Sequence, residues 1–526
     1  MNPSFIDRPA AALRWFGFLS LAVIQLLGLA SAQKYPGTGE DFTLATAINS
    51  STYTTGQGVK VAGAGDFLHI HLKSPGGAFT GKPVVLAAEV LLIGTPQSGP
   101  LPNLWLGLGI LIIPTPVVTL PPAGLTIKLQ IPHSFSGARI VLQSAALSPT
   151  ARNGGFALSD AHVIKVLPAG IVMRPIAGTT FKMGNNNLRG PQRGQATEHQ
   201  VTLSDYELSA TEITNAQYAE FLNNAIAAKL ITVQLGTRGP DAGKKLIVGT
   251  ALSKYPGMSF YCLEGTRVMK DHDNADRDNH PFTGTIEPEN PLNISFVGYD
   301  ATRKSPFYVK DPFSPNDFDW HALCNYYNYT SVPRQLDKTV LLNDFSAWPE
   351  LTGWTKKNPK MAVNLPNQQT VSAYPVGFIR WWGAQAFAEY YHVQLPTEAQ
   401  WEYAAQAGRS YYYSVYDGTT IADANWNQKR IKPALHHVRA AMGGKANPFG
   451  LYNMGGNVWE WMWDNYLPYG AAAAKDPLIL VSGSKLRSWR GGSWNYHQAT
   501  LESSGRFFDD VNHGNDHFGF RIAHSP

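Results

Sequence analysis

The stretch Asn447-Pro-Phe-Gly-Leu-Tyr-Asn-Met-Gly-Gly-Asn-Val-Trp-Glu-Trp461 constrains the fold more than any other part of the chain. It sets the oxygen donors Asn453, Asn457 and Glu460 around two adjacent glycines, and closes on a pair of tryptophans. Gly455 and Gly456 let the backbone turn sharply and aim carbonyls inward, where a side chain would clash. Asn453 and Glu460 place hard side-chain oxygens on either side of that turn. Carbonyls, a carboxylate and an amide oxygen together are what Ca²⁺ requires. The same residues also suit a polar turn held between core aromatics, and this stretch alone leaves both readings open.

The remaining chain sets the context. Its 526 residues exceed one ordinary domain, so two or three are expected. Charged residues make up 15 % and the net charge is +5, with Lys and Arg scattered. No basic run is interleaved with aromatics, which argues against a nucleic-acid partner. Glycine (49), proline (36) and tryptophan (14) are abundant, pointing to loop-rich structure pinned by aromatic packing.

The N-terminus, residues 1–32, reads as a signal peptide. Arg8 and Arg14 supply the positive end, Trp15 to Ala30 the apolar core, and Ala30-Ser-Ala32 before Gln33 a small-residue cleavage site. Leu104 to Ile113 is too short for a membrane span and is closed by Pro114. The mature chain is therefore expected to be exported, with no stable membrane span after cleavage. Cys262 and Cys324 are the only cysteines, allowing one disulfide but no disulfide framework.

Residues 33–168 are expected to form an all-β sandwich. Apolar stretches of strand length recur at Val59–Leu72, Val84–Ile93, Leu104–Ile113, Leu125–Ile131, Ile140–Leu147 and Phe156–Val166, separated by Pro, Gly and Ser clusters. His69 and His71 share a strand face, but a metal site needs a third ligand and none is near. The texture changes after Leu167-Pro168. Thr214 with Gln217 forms a capping box, and Tyr218, Phe221, Leu222 and Ala225 follow at helical spacing, predicting a helix over 215–229. Ala384, Phe387, Ala388 and Tyr391 mark a second short helix. Thr397 with Gln400 caps a third, and Gly408 is placed to end it. Between these helices, residues 231–370 read as an irregular insert. Its acidic run Asp271–His280 fails the EF-hand pattern, with Asp276 at the sixth position and Phe282 at the twelfth. Phe520, flanked by Gly519 and Arg521, reads as a final strand.

Several blocks recur in a fixed order: Phe181-x-Met-Gly184, Thr211-Glu-Ile-Thr-Asn-x-x-Tyr218-x-x-Phe221, Leu395-Pro-Thr-Glu-Ala-x-Trp-Glu-Tyr-Ala-Ala405, the opening stretch, Arg490-Gly-Gly-Ser493 and Gly519-Phe-Arg521. In this register the chain resembles the formylglycine-generating enzyme (sulfatase-modifying factor) family over about 175–225 and 372–524. The resemblance implies an α+β, C-type-lectin-like FGE-sulfatase fold over 169–526, with few short helices and much irregular chain. It also implies structural Ca²⁺. One site would use the Asn453 and Glu460 side chains with the Gly456 and Val458 carbonyls. A second would begin at Asn425 and Trp426, although no acidic partner follows in 427–446.

In the oxidase members of the family, a cysteine pair after Arg-Gly-Gly-Ser binds copper as thiolates, which suit soft Cu(I). The matching positions here are Tyr496 and Leu501, so copper is not expected. Trp459, Ser493 and His497 of the family's cleft are retained beside Tyr496, and with it they are the cleft candidates; His497 is a candidate acid or base. A further branch pairs this domain with a helical iron-binding domain carrying His-x-x-x-His-x-Glu, and this chain lacks that motif. The implied function is an exported, non-oxidase binding or structural module that meets an exported protein or a glycan. The alternative is a divergent oxidase acting on an exported sulfatase.

Overall fold

The computed structural model describes residues 39–49, 53–55, 58–91, 110–152, 156–159, 162–187, 196–264, 295–310, 371–416, 424–426, 438–494, 496, 498–515 and 517–525. Residues 1–32, where a signal peptide is expected, Asp271–His280, Cys324 and His497 lie outside the described residues. The chain divides into two compact units, Met1–Ala169 and Gly170–Pro526.

The first unit is β-rich. Thr43–Ile48, Phe67–Lys73 and Leu125–Gln130 pair antiparallel in one sheet. Pro83–Leu91, Arg139–Leu147 and His162–Leu167 pair antiparallel in another, which Gly58–Gly63 joins in parallel. Alternation along Phe67–Lys73 turns Leu68, Ile70 and Leu72 inward. They share one hydrophobic cluster with Val84, Leu86, Leu142, Ile164 and Val166 of the other sheet. The expected strand Val59–Leu72 is in fact two strands in different sheets. Asp66 makes the break, its carboxylate accepting the Gly63 N–H at 2.7 Å. His69 and His71 lie on the half-exposed face, where His71 Nδ1 bonds Thr126 Oγ1 at 3.0 Å.

The second unit is α+β. Helix α1 is Asn215–Ala227, α2 is Trp381–Tyr390 and α3 is Glu398–Ala405. Helices α1 and α3 begin in full capping boxes, Thr214 with Gln217 and Thr397 with Gln400, so each satisfies N-terminal N–H groups locally. Helix α3 stops before Gly408. Gln406 is its cap residue and Ala407 already takes φ 52°. Tyr218 and Phe221 of α1 pack against Phe387 of α2, and Phe520 joins them edge-on.

Residues 231–370 begin with regular structure, contrary to the irregular reading. Ile231–Leu235, Lys245–Gly249 and Ser259–Cys262 form a three-stranded antiparallel sheet. These strands are short, and turns such as Gly239–Asp241 interrupt them, which hides their alternation in the sequence. Tyr261 places this sheet against α1 through the Tyr218 ring. At the C-terminus, Phe520 lies between two short pairings rather than in one strand. Phe518–Gly519 runs parallel to Trp459–Glu460, and Ala523–His524 pairs with Glu207–Leu208.

Replacing Thr214 with Ala removes the cap of α1. The expected loss is about 1 kcal/mol in denaturant unfolding, with Thr214→Ser close to wild type.

Candidate functional site

The turn that opens the sequence argument is built from left-handed residues: Asn453 at φ 51°, Gly456 at φ 84° and Asn457 at φ 67°. A Cβ at Gly456 would lie 2.4 Å from the Asn425 carbonyl oxygen, so glycine is required there by contact as well as by conformation. That close approach brings Asn425 to the turn. Asn457 N–H donates to Asn425 O at 2.7 Å, and Asn425 Nδ2 donates to Asn457 Oδ1 at 3.0 Å. The neighbouring Trp426 packs on Val415, Ala424 and Leu501. The elements expected to form two metal sites thus meet in one place.

Their side-chain oxygens are occupied by protein cations. Glu460 is buried, and Arg521 grips it with both prongs: Nε to Oε2 at 2.6 Å and Nη2 to Oε1 at 2.6 Å. Trp401 Nε1 donates to the same carboxylate at 2.7 Å. Asn453 Oδ1 accepts from Arg439 Nε at 2.9 Å and Nη2 at 2.6 Å. Asn453 and Asn457 also donate to the buried Glu212. Burial pushes the Glu212 carboxyl up to about 7 against the pull of Arg521, and Glu460 adds to the rise. Asn453 and Glu460, with the Gly456 and Val458 carbonyls, do not fit a calcium site in this arrangement: both side chains already serve guanidinium groups. Among the described residues, no group of three or more His, Cys, Asp or Glu is arranged to hold a metal.

A second ionic network lies beside the turn. Glu398 of α3 accepts from Arg506 Nε at 2.9 Å and Arg490 Nε at 3.0 Å, and from the Tyr469 hydroxyl at 2.8 Å. Arg490 also donates to Glu402 Oε2 at 3.0 Å and to the carbonyls of Ser503 and Gly505. Burial opposes ionisation of Glu398, but Arg506 and Arg490 overcome it and bring the carboxyl down to about 2. Asp464 receives the Glu398 and Ile479 N–H groups. Burial and the charge on Glu398 push the Asp464 carboxyl up to about 7.

Two of the cleft candidates, Trp459 and Tyr496, lie in a cluster of edge-to-face aromatic rings. Trp459 meets Trp489 with ring centroids 4.3 Å apart, Phe507 at 4.8 Å and Tyr496 at 5.3 Å. Tyr496 in turn meets His517 at 5.3 Å. Trp459 is 0 % exposed, Ser493 0 % and Tyr496 7 %, so all three are buried. Ser493 Oγ and Trp459 Nε1 have no hydrogen-bond partner among those residues. Leu501 turns instead toward Val415 and Ala424. Tyr496 and Leu501 offer a phenol and a hydrocarbon, which do not fit a dithiolate copper site. Cys262 packs in a different cluster, with Leu246 and Val248, and burial pushes its thiol up to about 11.

A model of the sulfatase-modifying factor enzyme 1-like domain family (FGE-sulfatase) matches residues 169–526. The chain belongs to this family. Among curated relatives, it is 32 % identical to "Serine/threonine-protein kinase pkn1" of Chlamydia caviae, over 28 % of this chain and 24 % of that protein. It is 30 % identical to "Formylglycine-generating enzyme" of Streptomyces coelicolor, over 28 % of this chain and 52 % of the relative. It is 28 % identical to "Inactive C-alpha-formylglycine-generating enzyme 2" of Bos taurus, over 28 % and 50 % respectively. The chain thus spans between a quarter and about half of the length of these relatives.

Within the motif blocks, the structure gives Glu398, Glu402, Arg490 and Arg521 ionic partners. The sequence reading placed Glu398, Glu402, Arg490 and Arg521 inside motif blocks but assigned them no role. A buried charge must be paired, so ionisable residues inside apolar runs such as Glu402 beside Trp401 were the available signal. Glu212 carries the same signal in Ala210-Thr-Glu-Ile-Thr214. Arg439 carries none, since it lies in an undistinguished loop.

Two expectations follow. Arg490→Met leaves Glu398 and Glu402 buried with one cation fewer, and should cost about 3–5 kcal/mol in unfolding free energy. Asp464 keeps its proton in the fold up to about 7, whereas an unfolded chain releases it near 3.8. Its contribution is therefore present below 3.8 and lost as pH rises through 7. In thermal melts across that range, Asp464→Asn should show a flatter decline with rising pH than wild type.

Proposed function

We propose that this protein is an exported binding or structural module on the FGE-sulfatase scaffold, and not an oxidase. The carrying observation is Tyr496. Its ring is buried against Trp459 and His517 at the position where the oxidase members hold a copper thiolate. Leu501 at the second thiolate position is likewise enclosed by hydrocarbon. A phenol and a hydrocarbon at these positions lack the soft donors for Cu(I). Resemblance to a relative named as inactive is in line with this reading. The signal-like N-terminus supports export, and an exported protein or a glycan is the partner class proposed. A fold shared with enzymes does not by itself bring their reaction.

A second reading has its own support. Ser493 Oγ and Trp459 Nε1 are buried without partners among the described residues, and a catalytic role is one explanation for such a group. They would suit a divergent protein-modifying oxidase.

One assay separates the two. Purified protein is incubated with Cu(I), O₂ and a Cys-x-Pro-x-Arg peptide, and the peptide is weighed. The module reading expects an unchanged thiol mass. Copper-dependent conversion of the thiol to an aldehyde would establish the oxidase instead.

A further inference from the structure

We propose that Arg439 is a built-in cation for the Asn453–Glu460 turn, and that this turn is held without calcium. The seat is made for a guanidinium. Two of its nitrogens, Nε and Nη2, converge on Asn453 Oδ1 at 2.9 and 2.6 Å. The Arg439 backbone is fixed to the same turn, its N–H donating to Asn457 Oδ1 at 2.8 Å and its carbonyl accepting from Asn457 Nδ2 at 3.3 Å. Asn453 Nδ2 then returns to the loop, donating to Ala441 O at 3.0 Å.

The loop beyond is shaped around the side chain. Gly444 has φ 80°, and a Cβ there would lie 2.6 Å from Arg439 Nη2 and 2.9 Å from Cζ. Any larger residue at 444 would displace the guanidinium. The turn also carries local negative charge: Glu212 touches both Asn453 and Asn457, and Arg521, which grips Glu460, acts on Glu212 as well. A divalent ion on Asn453 Oδ1 would have to evict Arg439 and leave its charge in a half-buried loop, which is costly. One arginine thus supplies the positive charge and the directed bonds that a calcium ion would otherwise bring to this turn.

The test uses thermal melts of the full chain in EDTA and in millimolar Ca²⁺. Wild type is expected to melt at the same temperature in both. A calcium-dependent rise that survives in Asn453→Ala places the ion elsewhere in the chain and leaves the proposal standing. A rise abolished by Asn453→Ala overturns it. Arg439→Met should lower the wild-type melting temperature by several degrees in EDTA, and an unchanged temperature would also overturn it. If Arg439→Met does not fold, the wild-type and Asn453→Ala titrations still decide the question.

Discussion

Glu398 sits fully enclosed between Arg490 and Arg506, on a helix whose sequence neighbours carry neither arginine. Taking three charges out of water is expensive, and the cost is met only because each is matched in geometry and hydrogen-bonded. The matching fixes the positions of three distant segments: α3, the Leu486–Arg490 strand and the chain entering Phe507–Asp510. Glu460 and Arg521 repeat the device, tying the Trp459–Asn465 strand to the C-terminal segment and, through Arg521, to the Ser209 and Tyr452 carbonyls. With short strands, few helices and much irregular chain, the second unit depends on such buried pairs for a unique arrangement.

That dependence changes how the family's motifs are read in this chain. The glutamates of Leu395–Ala405 pair with the arginine of Arg490–Ser493, and the arginine of Gly519–Arg521 pairs with Glu460 of the Asn447–Trp461 stretch. The copper positions belong to a different layer. Tyr496 lies in an edge-to-face aromatic cluster with Trp459, Trp489 and Phe507, and Leu501 packs apart from it on Val415 and Ala424. The turn between the two layers has Arg439 and Arg521 on its side-chain oxygens, and on that arrangement rests the proposal of a turn held without calcium.

What was legible in the sequence was local. Thr214 with Gln217 and Thr397 with Gln400 act within one turn of helix, and both boxes are present. The alternation of Leu68, Ile70 and Leu72 is likewise a property of consecutive residues. The ordered set of motif blocks carried the family. The non-local pairings were not legible: nothing in the sequence joins Glu398 to Arg506 or Asn453 to Arg439. The guanidinium on Asn453 was hidden for that reason, because a donor set read along the chain cannot reveal a cation arriving from another loop. The three-stranded sheet of 231–262 was missed because its strands are only four or five residues long and broken by turns.

The central claim is that this member keeps the scaffold of its family and has lost the sulfur site. The most direct measurement is a Cu(I) competition titration against a chromogenic chelator, followed by X-ray absorption at the copper edge. The account predicts no stoichiometric Cu(I) held in preference to the chelator. One tightly held equivalent with sulfur in its coordination shell, lost on Tyr496→Ala or Ser493→Ala, would contradict it.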